Sequence, residues 1–165
     1  MSRSCRIPLV LSLIGLISTA SLAAETEDES PIVFEQSLDY AQVEFVVATR
    51  EAEGSWRFDV TVRHNDEGWD HYADVWQVID PRGAASELDP AAFTDDDVIA
   101  ERVLFHPHDN EQPFTRSTSG VRLPKGVTSV LVRAGCNVHG FGGRPVRVDV
   151  LSSGGERYEV RNGEE

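Results

Sequence analysis

Residues 56–63 alternate without interruption: Trp56, Phe58, Val60 and Val62 are apolar, whereas Arg57, Asp59, Thr61 and Arg63 are polar. A period of two puts one set on each face of an extended strand. A helix would need its apolar residues every three to four positions. The same habit recurs along the chain. Val43, Phe45 and Val47 alternate with Glu44 and Val46, and Val146, Val148 and Val150 line one face of a late segment. β-rich runs cover residues 72–79, 98–105, 114–123 and 127–134, with a further edge strand over 157–161. Pro81-Arg82-Gly83 and Pro124-Lys125-Gly126 separate runs as tight turns. Residues 84–97 are the one helix candidate, a short turn after Asp89-Pro90. There is no internal repeat. Short strands at regular spacing predict a single all-β domain, an antiparallel β-sandwich of immunoglobulin-like character with about seven strands.

The domain is expected to span residues 31–162. Ahead of it, Arg3 and Arg6 precede an apolar stretch, Pro8 to Ile17, and then Ser21-Leu22-Ala23. That order matches a signal peptide of residues 1–23, too short in its apolar part to span a bilayer. Cys5 lies upstream of the apolar stretch, not at the cleavage site. Residues 24–30 are acidic and polar and predict disorder. The expected mature protein is periplasmic or secreted, with no membrane attachment after cleavage. Removing Arg3 and Arg6 leaves 13 basic and 28 acidic residues, a net charge of −15. Such a surface disfavours nucleic acid and anionic membranes as partners. Lys125 is the only lysine, and excess carboxylate with little lysine fits a salt-tolerant exterior.

The five histidines fall in three turn-rich segments: His64 and His71 around Asn65 to Asp70, His106-Pro107-His108, and Cys136-Asn137-Val138-His139-Gly140. Antiparallel strands alternate in direction, so strand counting sends all three to one end of the sandwich. Imidazole and thiolate together suit copper, zinc or iron. His106 and His108, two residues apart, can form a pincer if the chain is extended. Cys136 and His139 have C-x-x-H spacing in a loop with Gly135, Gly140, Gly142 and Gly143, glycines that let backbone fold closely around a site. His64 continues the inward face of its strand and reads first as a histidine at the rim of the core. Asp70 or Asp74 can orient an imidazole through its second nitrogen, as Asp109 and Glu111 can beside the His-Pro-His pair. With Cys5 removed, Cys136 has no internal disulfide partner. Ser117 to Ser119 lack a nucleophile-elbow context, Asp95 to Asp97 lack the glycine of an EF-hand loop, and no phosphate-binding glycine loop precedes a helix.

Cys136-Asn137-Val138-His139-Gly140 resembles the C-N-x-H-G segment of superoxide reductases, the neelaredoxin and desulfoferrodoxin group. Those are immunoglobulin-like sandwiches with iron held by four histidines and a cysteine. His64, His71 and Trp76 stand in an order similar to that family's upstream histidines and tryptophan. Asn65 replaces its proline and Gly142 its tryptophan. The C-x-x-H spacing is also similar to cupredoxins, with Arg144 where they carry methionine. Across most of the domain the chain resembles a group of small exported bacterial proteins of unknown function. Their W-x-H-Y-A-D, H-P-H-x-x-E-Q-P-F-T-R-S and V-H-G-x-G-G pattern is met by Trp69 to Asp74, His106 to Ser117 and Val138 to Gly143. In that pattern the cysteine is not fixed, which favours a site of His71, His106, His108 and His139 with Cys136 as an added ligand. The leading expectation is thus a transition-metal site of copper, zinc or iron. A metal-free structural or interaction domain is the alternative, and a superoxide reductase-like iron enzyme the third.

Overall fold

The computed structural model describes residues 36–83 and 91–163. The signal peptide, the acidic segment 24–30 and the first half of the helix candidate, residues 84–90, lie outside the described residues. Two sheets are built from strands only, with short 3-10 turns between them. The first sheet has the order β5-β2-β1-β10-β9. Its strands are β1 (Gln42–Arg50), β2 (Trp56–Arg63), β5 (Phe114–Val121), β9 (Gly154–Gly155) and β10 (Tyr158–Asn162). The second runs β4-β3-β6-β7, with β8 pairing a different stretch of β6. It comprises β3 (Ala73–Ile79), β4 (Val98–Val103), β6 (Ser129–Cys136), β7 (Gly140–Phe141) and β8 (Val146–Asp149). The arrangement is all-β and consistent with a sandwich.

The alternation read in β2 holds: Trp56, Phe58, Val60 and Val62 are buried, and Arg57 and Arg63 are exposed. They face Trp76 and Val78 of β3, Val130 and Val132 of β6, and Val146 and Val148 of β8 in one apolar cluster. Burying a large apolar side chain stabilises the fold by about 1.5–3 kcal/mol, so this cluster dominates the packing. Strand β6 departs from alternation because both its faces are covered. Leu131 packs with Ile79 and Phe93 in a second cluster. Arg133, also buried, lies 3.8 Å from the Phe141 ring and donates to Gln77 Oε1. Burial pushes its guanidinium down to about 10.

Three expectations need correction. Where the described residues overlap the helix candidate, the only helical element is a 3-10 turn at Asp95–Asp97, whose Thr94 and Asp97 cap each other. The pairing is not wholly antiparallel, because β10 runs parallel to β1 with Val46 opposite Tyr158 and Arg50 opposite Asn162. The two-residue β9 reverses the chain once more before β10, and two glycines carry no hydropathic alternation that would reveal it. Ten strands are present among the described residues rather than about seven, two of them (β7 and β9) only two residues long.

The ladders fix directions. Strand β2 pairs antiparallel with β1 and β5, and β3 with β4 and β6. The end of β2, the start of β3 and the end of β6 therefore share one pole, called upper here. The ends of β1, β8 and β10 share the lower pole.

Candidate metal centre

His64, one residue beyond β2, keeps the strand's inward parity and is 1% exposed. Cys136 ends β6, where its pairing with Gly140 closes a three-residue turn. Within that turn the His139 backbone N–H donates to Cys136 Sγ at 3.2 Å. Gly140 takes a φ of 66°, a left-handed conformation that glycine adopts without steric cost. Asn137 sews the turn to the β2–β3 loop. Its Nδ2 donates to the carbonyls of Trp69 and Asp70, and its Oδ1 accepts from the Tyr72 N–H.

These contacts bring donors together. Cys136 Sγ lies 3.7 Å from His71 Nε2 and 3.5 Å from His139 Nδ1. Among the described residues, His64, His71 and Cys136 form a group whose ligand atoms all lie within 4.8 Å of one another and which can hold a metal ion. The His71 ring stands edge-on to both His64 (4.6 Å between centroids) and His139 (5.0 Å). His64 and Cys136 are buried, the His71 side chain is 12% exposed, and His139 is open to solvent. The cluster is thus sunk on one side and accessible on the other.

The segment entering β1 completes it. The Asp39 carbonyl lies 3.1 Å from His64 Nε2, 3.2 Å from His71 Nε2 and 3.4 Å from Cys136 Sγ. Glycines explain how it comes so close. A Cβ on Gly143 would meet the Ala41 carbonyl oxygen at 2.1 Å, and one on Gly142 would meet the Tyr40 ring at 2.5 Å. The glycine-rich loop noted in the sequence is needed for this close approach of two backbones.

Two carboxylates hold the rings from behind, and they are Asp66 and Glu67 rather than Asp70 or Asp74. Asp66, whose side chain has no exposure, accepts from His64 Nδ1 at 2.6 Å and the Ala73 N–H at 3.1 Å through Oδ1. Its Oδ2 accepts from the His108 N–H at 2.6 Å. Burial pushes the Asp66 carboxyl up, but the hydrogen bonds from His64 and the two backbone N–H groups outweigh it and leave the pKa lowered. Glu67 lies 3.2 Å from His71 Nδ1. Burial raises the Asp74 carboxyl. An acidic residue two positions after a strand-ending histidine is the signal that could have identified Asp66.

The set of four imidazoles expected from the sequence is divided. His106 and His108 do face one another, with ring centroids 4.5 Å apart. His108, however, is buried and stacks on Phe114 at 3.8 Å, and His106 Nδ1 bonds the Pro107 carbonyl. His108 Nδ1 is 3.8 Å from Asp66 Oδ2 and Nε2 is 3.9 Å from Glu111 Oε1, both beyond hydrogen-bond distance. Burial lowers the His108 pKa. Among the described residues the pair is tied to the cluster through Asp66, while His64, at the rim position its strand parity suggests, lies inside it.

No family model matches the chain, and no solved structure matches it. It is similar to a protein of Halomicrobium mukohataei named "Putative lipoprotein", with 35% identity over 149 residues, covering 89% of this chain and 62% of that protein. The chain therefore spans about three-fifths of that relative's length.

Proposed function

We propose that this chain is an exported, immunoglobulin-like β-sandwich that binds one transition-metal ion at its upper pole through Cys136, His71, His139 and His64. The Cys136 distances carry the reading. A metal about 2.3 Å from sulfur and 2.0 Å from nitrogen in tetrahedral geometry sets the S–N edge at about 3.5 Å, against 3.5 and 3.7 Å here. The His139 N–H donates to Cys136 Sγ at 3.2 Å and fixes the sulfur's place in the cluster. One thiolate among imidazoles selects zinc, copper or iron over calcium or magnesium. Asp66 and Glu67 support His64 and His71 through their other ring nitrogens, as carboxylates do behind metal-bound histidines. Export is supported by the basic, apolar and small-residue order of the first 23 residues and by the relative's printed name.

The test is elemental analysis of untagged protein after exposure to zinc, copper or ferrous iron, repeated with cobalt as a spectroscopic probe. One equivalent is expected, with a thiolate-to-cobalt absorption band that Cys136→Ser abolishes. Less than a tenth of an equivalent with every metal would refute metal binding. A second reading rests on the Asp39 carbonyl, which three donors address at once. In it the pole is a metal-free hydrogen-bonded knot. Unchanged thermal stability on adding each metal, together with absent stoichiometry, would favour that knot.

A further inference from the structure

The lower pole holds a groove of about 340 Å³ between the end of β1, the turn after β8 and the end of β10. That size falls at the small end of ligand sites. Its lining is mixed and more polar than apolar: Trp56, Leu151 and Val160 stand beside Arg50, Ser153 and Asn162, and Leu151 is 72% exposed. Arg50 lies over the Trp56 ring, 5.2 Å from guanidinium carbon to centroid. A guanidinium held by its face on an indole keeps its N–H edge free and already oriented. Among the described residues the Arg50 side chain makes no hydrogen bond or ion pair, and neither do the Ser153 hydroxyl and Asn162 amide that also line the groove. Several other exposed arginines are paired, Arg57 with Asp59, Arg82 with Asp80 and Arg161 with Glu159. Arg102 and Arg144, by contrast, are exposed and, like Arg50, make no side-chain hydrogen bond or ion pair among the described residues. What sets Arg50 apart from those two is its place over the Trp56 ring at the edge of this groove.

We propose that this groove binds a small organic carboxylate, with the Arg50 fork, Asn162 and Ser153 taking the carboxylate and Trp56, Leu151 and Val160 taking an apolar body. The planar fork of arginine matches a carboxylate with two parallel hydrogen bonds. The inference is independent of the metal reading, since the groove and the His–Cys cluster occupy opposite poles. Calorimetric titration of the full chain with phenylacetate tests it. Saturable binding of one equivalent is expected, weakened about tenfold or more by Arg50→Gln or by using the neutral phenylacetamide. Leu151→Ser, at an exposed position, should weaken it severalfold. Absent saturation, equal binding of the amide, or unchanged binding in Arg50→Gln would overturn the proposal. Displacement of phenylacetate by inorganic phosphate at equal affinity would also overturn it, by showing an anion site indifferent to the apolar body.

Discussion

The two poles of this sandwich use polar side chains in opposite ways. At the upper pole, buried or nearly buried donors converge on internal acceptors: His64, His71 and Cys136 on the Asp39 carbonyl, and His64, Ala73 and His108 on Asp66. At the lower pole, Arg50, Ser153 and Asn162 border a groove without a side-chain hydrogen bond or ion pair among the described residues, Arg50 resting on the Trp56 ring. A polar group taken out of water must be paired, whereas one left at a groove can wait for a ligand. Substitutions at the upper pole should therefore cost stability, and those at the lower pole should cost binding alone.

The contrast is most exposed to failure at Asp66. Asp66→Ala strands the His64 ring and two backbone N–H groups, and we predict a loss of about 3–5 kcal/mol in urea unfolding. A loss under about 1 kcal/mol would mean that the upper loops do not depend on this carboxylate. Next comes Gly143→Ala, whose methyl group must displace the Ala41 carbonyl. A cost of about 1–3 kcal/mol is expected, with weaker metal uptake because the Asp39 segment is pushed off the cluster. His106→Ala sharpens the upper pole itself: metal stoichiometry should stay the same, and its loss would restore the His-Pro-His pair as a ligand pincer.

At the lower pole the expected effects on stability are small. Asp80, beside Arg82, is held below the usual carboxylate range by that guanidinium's hydrogen bonds. A depressed folded-state pKa contributes stability above the unfolded value of about 3.9, and loses it as pH falls through the folded value. Asp80→Asn should thus lower the melting point slightly at neutral pH, with a difference that fades in acid. A difference that grows in acid would reverse the sign of the argument. Arg50→Gln should change unfolding free energy by less than about 0.5 kcal/mol; a larger loss would show that Arg50 serves the fold rather than a ligand.

Much of this architecture was legible because it is local. The alternation at Trp56, Phe58, Val60 and Val62 specifies a strand and its inward face, and the observed β2 has the expected limits. Strand parity then placed the three histidine segments at one pole, an inference that needed only the order of strands. Ring positions were not accessible in this way. His64 and His71 meet Cys136 across 72 and 65 positions of chain, by way of loops whose course depends on Asn137 and Asp66. The parallel β10 was hidden for a related reason, since its reversal rests on the two glycines of β9.

By itself, the sequence determined the longer strand-forming segments, the inward face of β2, the shared pole of the histidines and the glycine-rich character of the Cys136 turn. In β1 the irregularity at Val43/Phe45 turns Val46 and Ala48 inward in place of Phe45 and Val47. Period-two patterning and turn chemistry act over a few residues, and they can be read wherever those residues stand together. Only the tertiary structure decided which imidazoles surround Cys136, that a backbone carbonyl sits among them, that Asp66 ties two histidine loops, and that Arg50 is left uncommitted at the far end. Those outcomes depend on distances between segments far apart in the chain. They are settled by how closely two backbones can approach and by which buried polar groups must find partners.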